Sequence, residues 1–65
     1  MTEKLNLIKE VLERQEKSQS WLAGQLDVEV RTVNRIVNNH RQPSLKLLFK
    51  IAKILRVSPR DLING

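Results

Sequence analysis

The sequence predicts an all-α fold: one compact five-helix bundle in 65 residues, with the second and third helices folded over a tight turn. Three observations lead there. Apolar residues recur at intervals of three and four in successive stretches, the period of a helix with one buried face. Serines, and once a Ser-Pro-Arg-Asp tetrapeptide, stand where helices need to start. The connections are short, and there is no internal repeat, low-complexity segment or linker, so residues 1–65 read as a single domain.

The first helix is expected over residues 3–15, with Leu5, Ile8, Val11 and Leu12 as its inner stripe and Lys9, Glu10, Glu13 and Arg14 outward. Ser18 supplies a hydroxyl to cap a second helix that starts at Gln19, and Leu22 and Leu26 fall four apart on its buried face. Ala23, with a side chain of one carbon, lets another helix backbone come close. Asp27 follows where the chain must reverse, because Asp enters the left-handed region at modest cost. Val28 is expected to be a buried turn residue. Glu29 is a poor cap for the third helix, but its carboxylate suits the positive end of that helix's dipole.

Over residues 30–37, Val33, Ile36 and Val37 repeat at three and four, which leaves Val30, Arg31, Thr32, Asn34 and Arg35 on the front and flanks. The third helix is therefore held from behind and offers a polar face, as a small protein does towards a DNA groove. Asn38-Asn39-His40-Arg41-Gln42-Pro43 reads as a loop: paired asparagines tolerate turn geometry, and Pro43 keeps the preceding residue out of a helix. Ser44 caps a fourth helix over 45–55, whose inner stripe is Leu45, Leu48, Ile51, Ala52 and Leu55. Ser58-Pro59-Arg60-Asp61 announces a fifth, with a cap, a first-turn proline and an acidic third position, ending near Asn64-Gly65.

A domain of 65 residues buries only about 60% of its chain surface, so every apolar position counts. Without cysteine, neither disulfides nor thiolate metal sites supplement that core, and the single histidine, His40, cannot build a metal cluster or a catalytic base with a partner. The longest apolar run is far short of the roughly 18 residues of a membrane span, and the charged amino-terminal segment lacks a secretory apolar region. A soluble cytoplasmic protein is expected, with no cofactor, no membrane partner and no small-molecule site visible in the sequence. No nucleophile, base and orienting group occur together, which argues against an enzyme.

Charge is divided unevenly. Residues 1–28 hold Lys4, Lys9, Arg14 and Lys17 against Glu3, Glu10, Glu13, Glu16 and Asp27, a balance of −1. Residues 29–65 hold Arg31, Arg35, Arg41, Lys46, Lys50, Lys53, Arg56 and Arg60 against Glu29 and Asp61, a balance of +6. No acidic residue stands between Glu29 and Asp61, which favours a polyanionic partner over a generic basic surface.

These residues resemble the helix-turn-helix family of phage repressors and Cro proteins, the XRE-like family. The resemblance is carried by Ser18-Gln19 and Leu22-Ala23, by Val28, Thr32-Val33 and Ile36, and by Asn38 and Arg41-Gln42-Pro43-Ser44-Leu45. Ile51-Ala52, Leu55, Val57-Ser58 and Leu62 complete it over nearly the whole chain. It implies a lambda-repressor-like domain that binds double-stranded DNA in a sequence-specific manner and controls transcription. By the same resemblance the third helix enters the major groove and Val30, Arg31, Thr32, Asn34 and Arg35 meet base edges. Gln19, Asn38, His40, Arg41 and Lys46 fall where the family touches phosphate, contacts that position without reading sequence.

Some positions depart from the family. Glycine is common where this chain has Asp27, Asn39 and Arg56, and left-handed geometry costs an arginine roughly 1 kcal/mol or more. Relatives often join their first and third helices by an arginine at the place of Leu12 and a glutamate at the place of Val37. Here both are apolar, and a Trp21, Leu12 and Val37 cluster is expected in place of the ion pair; Trp21 stacking on a sugar or a partner is the competing reading. Gly24 inside the second helix costs about 1 kcal/mol relative to alanine, which points to close contact with a neighbour or with DNA. Leu47, Phe49 and Ile54 widen the apolar face of the fourth helix, either as core filling or as a homodimer surface shared with Leu62 and Ile63. A transcriptional repressor or autoregulator is favoured over a protein-interaction module such as an antitoxin, because the third helix is free of acids and carries two arginines.

Overall fold

The computed structural model describes residues 6–38 and 43–63. Among them are four α-helices and one 3-10 turn: α1 (Ile8–Arg14), α2 (Gln19–Leu26), α3 (Val30–Val37), α4 (Leu45–Leu55) and the turn Pro59–Leu62. The fold is all-α with a helix-turn-helix at its centre, but the expected fifth helix is a single 3-10 turn. Its start follows the sequence signal, since the Asp61 carboxylate accepts the Ser58 amide at 3.0 Å. It stops early because Ile63 is extended and pairs with Asn6 in an isolated antiparallel bridge.

That bridge also revises the first helix, which was expected from residue 3. Residues 3–5, Leu5 with them, lie outside the described residues, and at Asn6 the chain is not helical. The Asn6 side chain explains why: its Oδ1 accepts the amide of Ile8 at 3.1 Å, a local bond that competes with a helix start further back. Its Nδ2 donates to the Ile36 carbonyl at 2.9 Å. Asn6 is only 1% exposed, so it is a buried polar tie between the start of α1 and the end of α3.

The local start and stop signals otherwise work as their chemistry requires. Ser18 Oγ accepts the Trp21 amide at 2.9 Å and Ser44 Oγ accepts the Leu47 amide at 3.2 Å, so both helices begin on side-chain caps. Glu29 makes no side-chain cap at the start of α3. Asp27 is left-handed (φ 57°, ψ 46°) at the end of α2, as expected, and Arg56 keeps the same geometry (φ 58°, ψ 44°) at the end of α4. The exit of α4 is thus strained rather than rebuilt. Glu16 is a third non-glycine residue at positive φ, which the sequence did not signal.

One apolar core joins the helices. Ile8, Val11 and Leu12 of α1, Leu22, Ala23 and Leu26 of α2, Val33, Ile36 and Val37 of α3, and Leu48, Ile51, Ala52 and Leu55 of α4 all belong to it, closed by Leu62. Leu62 is 0% exposed, so it cannot form part of a homodimer surface. Leu45 does not join the inner stripe of α4; it is 69% exposed. It is the first helical residue, and side chains on a helix lean towards its N-terminus, so this one extends past the helix end instead of over the core. Leu47 and Ile54 are half-buried against the core, whereas Phe49 and Ile63 are exposed. Leu12 and Val37 are both buried; Trp21 is half-buried against the core cluster and borders a groove with Ile54, Leu55 and Arg56.

Two stability changes follow. Gly24 is exposed within α2 and a Cβ there would meet nothing within 4 Å, so the close neighbour expected at this position is not within the described chain. Gly24→Ala should stabilise the free protein by about 0.5 to 1 kcal/mol in urea unfolding. Asn6→Ala should destabilise it by about 1 to 3 kcal/mol, because the Ile8 amide and Ile36 carbonyl lose a buried partner.

Candidate nucleic-acid interface

Three residues separate α2 from α3, and the reversal is made by backbone geometry. With Asp27 left-handed, the Val28 amide turns back to the Ala23 carbonyl at 3.0 Å and ties off the end of α2. Ala23 is buried, and its small side chain permits the close approach of α3. Val28 is exposed, not buried as expected: the turn uses its amide, and its side chain stays outside the core.

The position of α3 is fixed from behind. Val33, Ile36 and Val37 are its buried residues, and Asn6 holds the Ile36 carbonyl. Arg31, Asn34 and Arg35 are therefore exposed, Val30 is 46% exposed at the helix start, and Thr32 is half-buried on the flank. These are the five residues expected to meet bases, and the fold gathers them on one short helix. Asn34 is not free on this face: its Nδ2 donates to Gln19 Oε1 at 3.1 Å, linking the middle of α3 to the first residue of α2.

Of the residues expected at phosphates, Gln19 is half-buried at the start of α2, Asn38 is the half-buried C-cap residue of α3, and Lys46 is exposed in the first turn of α4. His40 and Arg41 lie outside the described residues. No group of His, Cys, Asp and Glu suited to a metal ion occurs among the described residues, and no helix there is long and apolar enough to cross a membrane.

A family model for the helix-turn-helix matches residues 8–62, from the start of α1 to the last residue of the 3-10 turn. The chain belongs to the XRE-type helix-turn-helix family. The matched residues include α2, the three-residue turn and α3. The domain is similar to a crystal structure of a protein from Bacteroides fragilis described as a candidate DNA-binding protein. The two are 45% identical, with a TM-score of 0.90 over 92% of this chain and 97% of the other. No curated protein matches the chain.

The sequence reading missed two supports of the helix-turn-helix. The Asn6 tie has no signature beyond an asparagine ahead of an apolar stripe, which reads equally well as a cap. The Gln19 to Asn34 bond joins residues 15 positions apart, and only the α2 to α3 angle reveals it. A contrast between back and front tests how α3 is held. Ile36→Ala should cost about 2 to 5 kcal/mol of unfolding free energy, whereas Arg31→Ala and Arg35→Ala should each change it by no more than about 0.5 kcal/mol.

Proposed function

We propose that this helix-turn-helix domain is a sequence-specific double-stranded DNA-binding transcriptional regulator, a repressor or autoregulator, that works without enzymatic activity in the cytoplasm. The observation that carries the reading is the division of α3 into a buried apolar back and an exposed face of Val30, Arg31, Asn34 and Arg35. The absence of any acid between Glu29 and Asp61 in the sequence supports it, as does the likeness to the Bacteroides fragilis protein.

Each side chain on that face suits a base edge. Arg31 donates two hydrogen bonds to the O6 and N7 of a guanine, and Val30 packs on a thymine methyl. Asn34 pairs with an adenine: its Oδ1 and its second Nδ2 hydrogen are available, the first being engaged by Gln19. Thr32 reaches the groove from the flank, and Arg35, one turn beyond Arg31, meets a base or a phosphate. Gln19, Asn38 and Lys46, with His40 and Arg41, seat the domain on the sugar-phosphate backbone. Gly24 on the outside of α2 fits the same arrangement, since a missing side chain lets a strand of DNA pass close to the helix. Pairing of two copies would give half-sites one DNA turn, roughly 34 Å, apart.

Selection of binding sites from random duplex DNA at two salt concentrations tests this directly. An enriched motif is expected at both, and enrichment of none contradicts sequence-specific binding. On the selected site, Arg31→Ala should relax preference at one base pair by about 1 to 3 kcal/mol. Lys46→Ala should weaken specific and random DNA alike and reduce the slope of log affinity against log salt by about 0.9. Equal effects of both variants on both DNAs would refute the division between reading and seating residues.

A further inference from the structure

On the side of the molecule bounded by the turn after α1 and the end of α4 lies a feature that DNA binding leaves unused. It is a groove of about 390 Å³ lined by Gln15, Lys17, Trp21, Ile54, Leu55 and Arg56. We propose that it binds a small amphipathic organic anion, with a flat apolar body against Trp21 and Ile54 and an acid group held by Lys17 and Arg56.

The groove is partly open, with polar and apolar walls of similar extent, so it offers an amphipathic ligand an apolar surface beside polar and charged groups. Trp21 and Ile54 are half-buried, packed on the core from one side and open to the groove on the other. Lys17 is held at the rim, its Nζ 4.8 Å from the centre of the Trp21 ring, which keeps a positive charge beside the aromatic surface. Arg56 stands beyond the last residue of α4 in left-handed geometry, at φ 58°. A glycine would fit there without the strain that this conformation imposes on other residues, so folding alone does not call for an arginine.

The electrostatics favour an anion. Among the described residues neither Lys17 nor Arg56 is in an ion pair, and Lys17 engages the Trp21 ring. The Leu55 carbonyl at the C-terminal end of α4 would repel an acid group, but the Gln15 side chain covers it, donating from Nε2 at 2.8 Å. The groove therefore combines two cations outside any ion pair, one of them over the indole, with an aliphatic wall.

Trp21 is the only tryptophan of the chain, so its fluorescence reports on the groove alone. The full chain should be titrated with benzoate, 2-naphthoate and indole-3-acetate, and with the neutral 2-naphthamide as the control for apolar contact. A saturable change of Trp21 emission is expected with at least one carboxylate, and naphthamide should bind at least about tenfold more weakly than naphthoate. Lys17→Gln and Arg56→Gln, both at exposed positions, should each weaken the carboxylate, and Arg56→Gln should leave naphthamide unchanged. Amide shifts in NMR should centre on residues 15–25 and 54–57. The proposal is overturned if no carboxylate gives a saturable change, if naphthamide binds as well as naphthoate, if neither variant weakens binding, or if the shifts centre on α3.

Discussion

Everything that α3 presents to solvent depends on the burial of its back. A helix of eight residues is too short to persist alone in water, since the cost of its first turn is recovered only over a longer run. Val33, Ile36 and Val37 make it a helix by giving it a place in the core. The same contact fixes which side chains are left outside. Register and exposure are thus one fact: a rotation of α3 about its axis would bury Arg31 or Asn34 and expose Ile36, and the core forbids it. The Asn6 side chain adds a directional tie at the Ile36 carbonyl, where apolar packing alone permits sliding.

The remaining helices act on this seat at a distance. Helix α1 packs against α3 and α4 packs against α2, so the helix-turn-helix is braced from both sides. The joint between α1 and α3 is apolar at Leu12 and Val37, both buried, so no charge has to be desolvated there. The tight connections have a cost in backbone geometry. Glu16, Asp27 and Arg56 all sit at positive φ, and only Asp27 is of a type that adopts it readily. At Asp27 the strain makes the turn between the two motif helices; at Arg56 it closes α4 beside the Trp21 groove.

What the sequence reveals and what it hides divides along the range of the interaction. Ser18, Asp27 and Ser44 act on residues three or four positions away, so their roles were legible from neighbours alone. The inner stripes of α2 and α3 were legible too, because periodicity marks the buried side of a helix. Leu45 obeyed that periodicity and still faces water, because a helix's first residue leans past its end. Leu62, expected at a dimer surface, is core because the 3-10 turn packs on α4, and Val28, expected to be buried, is exposed because the turn uses its amide. Asn6, Gln15 and the Gln19 to Asn34 bond act across 15 to 40 positions in sequence, beyond the reach of any local rule.

The central claim is that the exposed face of α3 reads bases in the major groove. The most direct measurement is binding to a selected duplex in which single guanines are replaced by 7-deazaguanine, which removes the N7 acceptor from the major groove, or by inosine, which removes the amino group from the minor groove. The account predicts a loss of about 1 to 3 kcal/mol at one guanine on 7-deaza substitution, absent for Arg31→Ala, with no loss on inosine substitution. Losses confined to inosine, or a 7-deaza effect unchanged by Arg31→Ala, would contradict it.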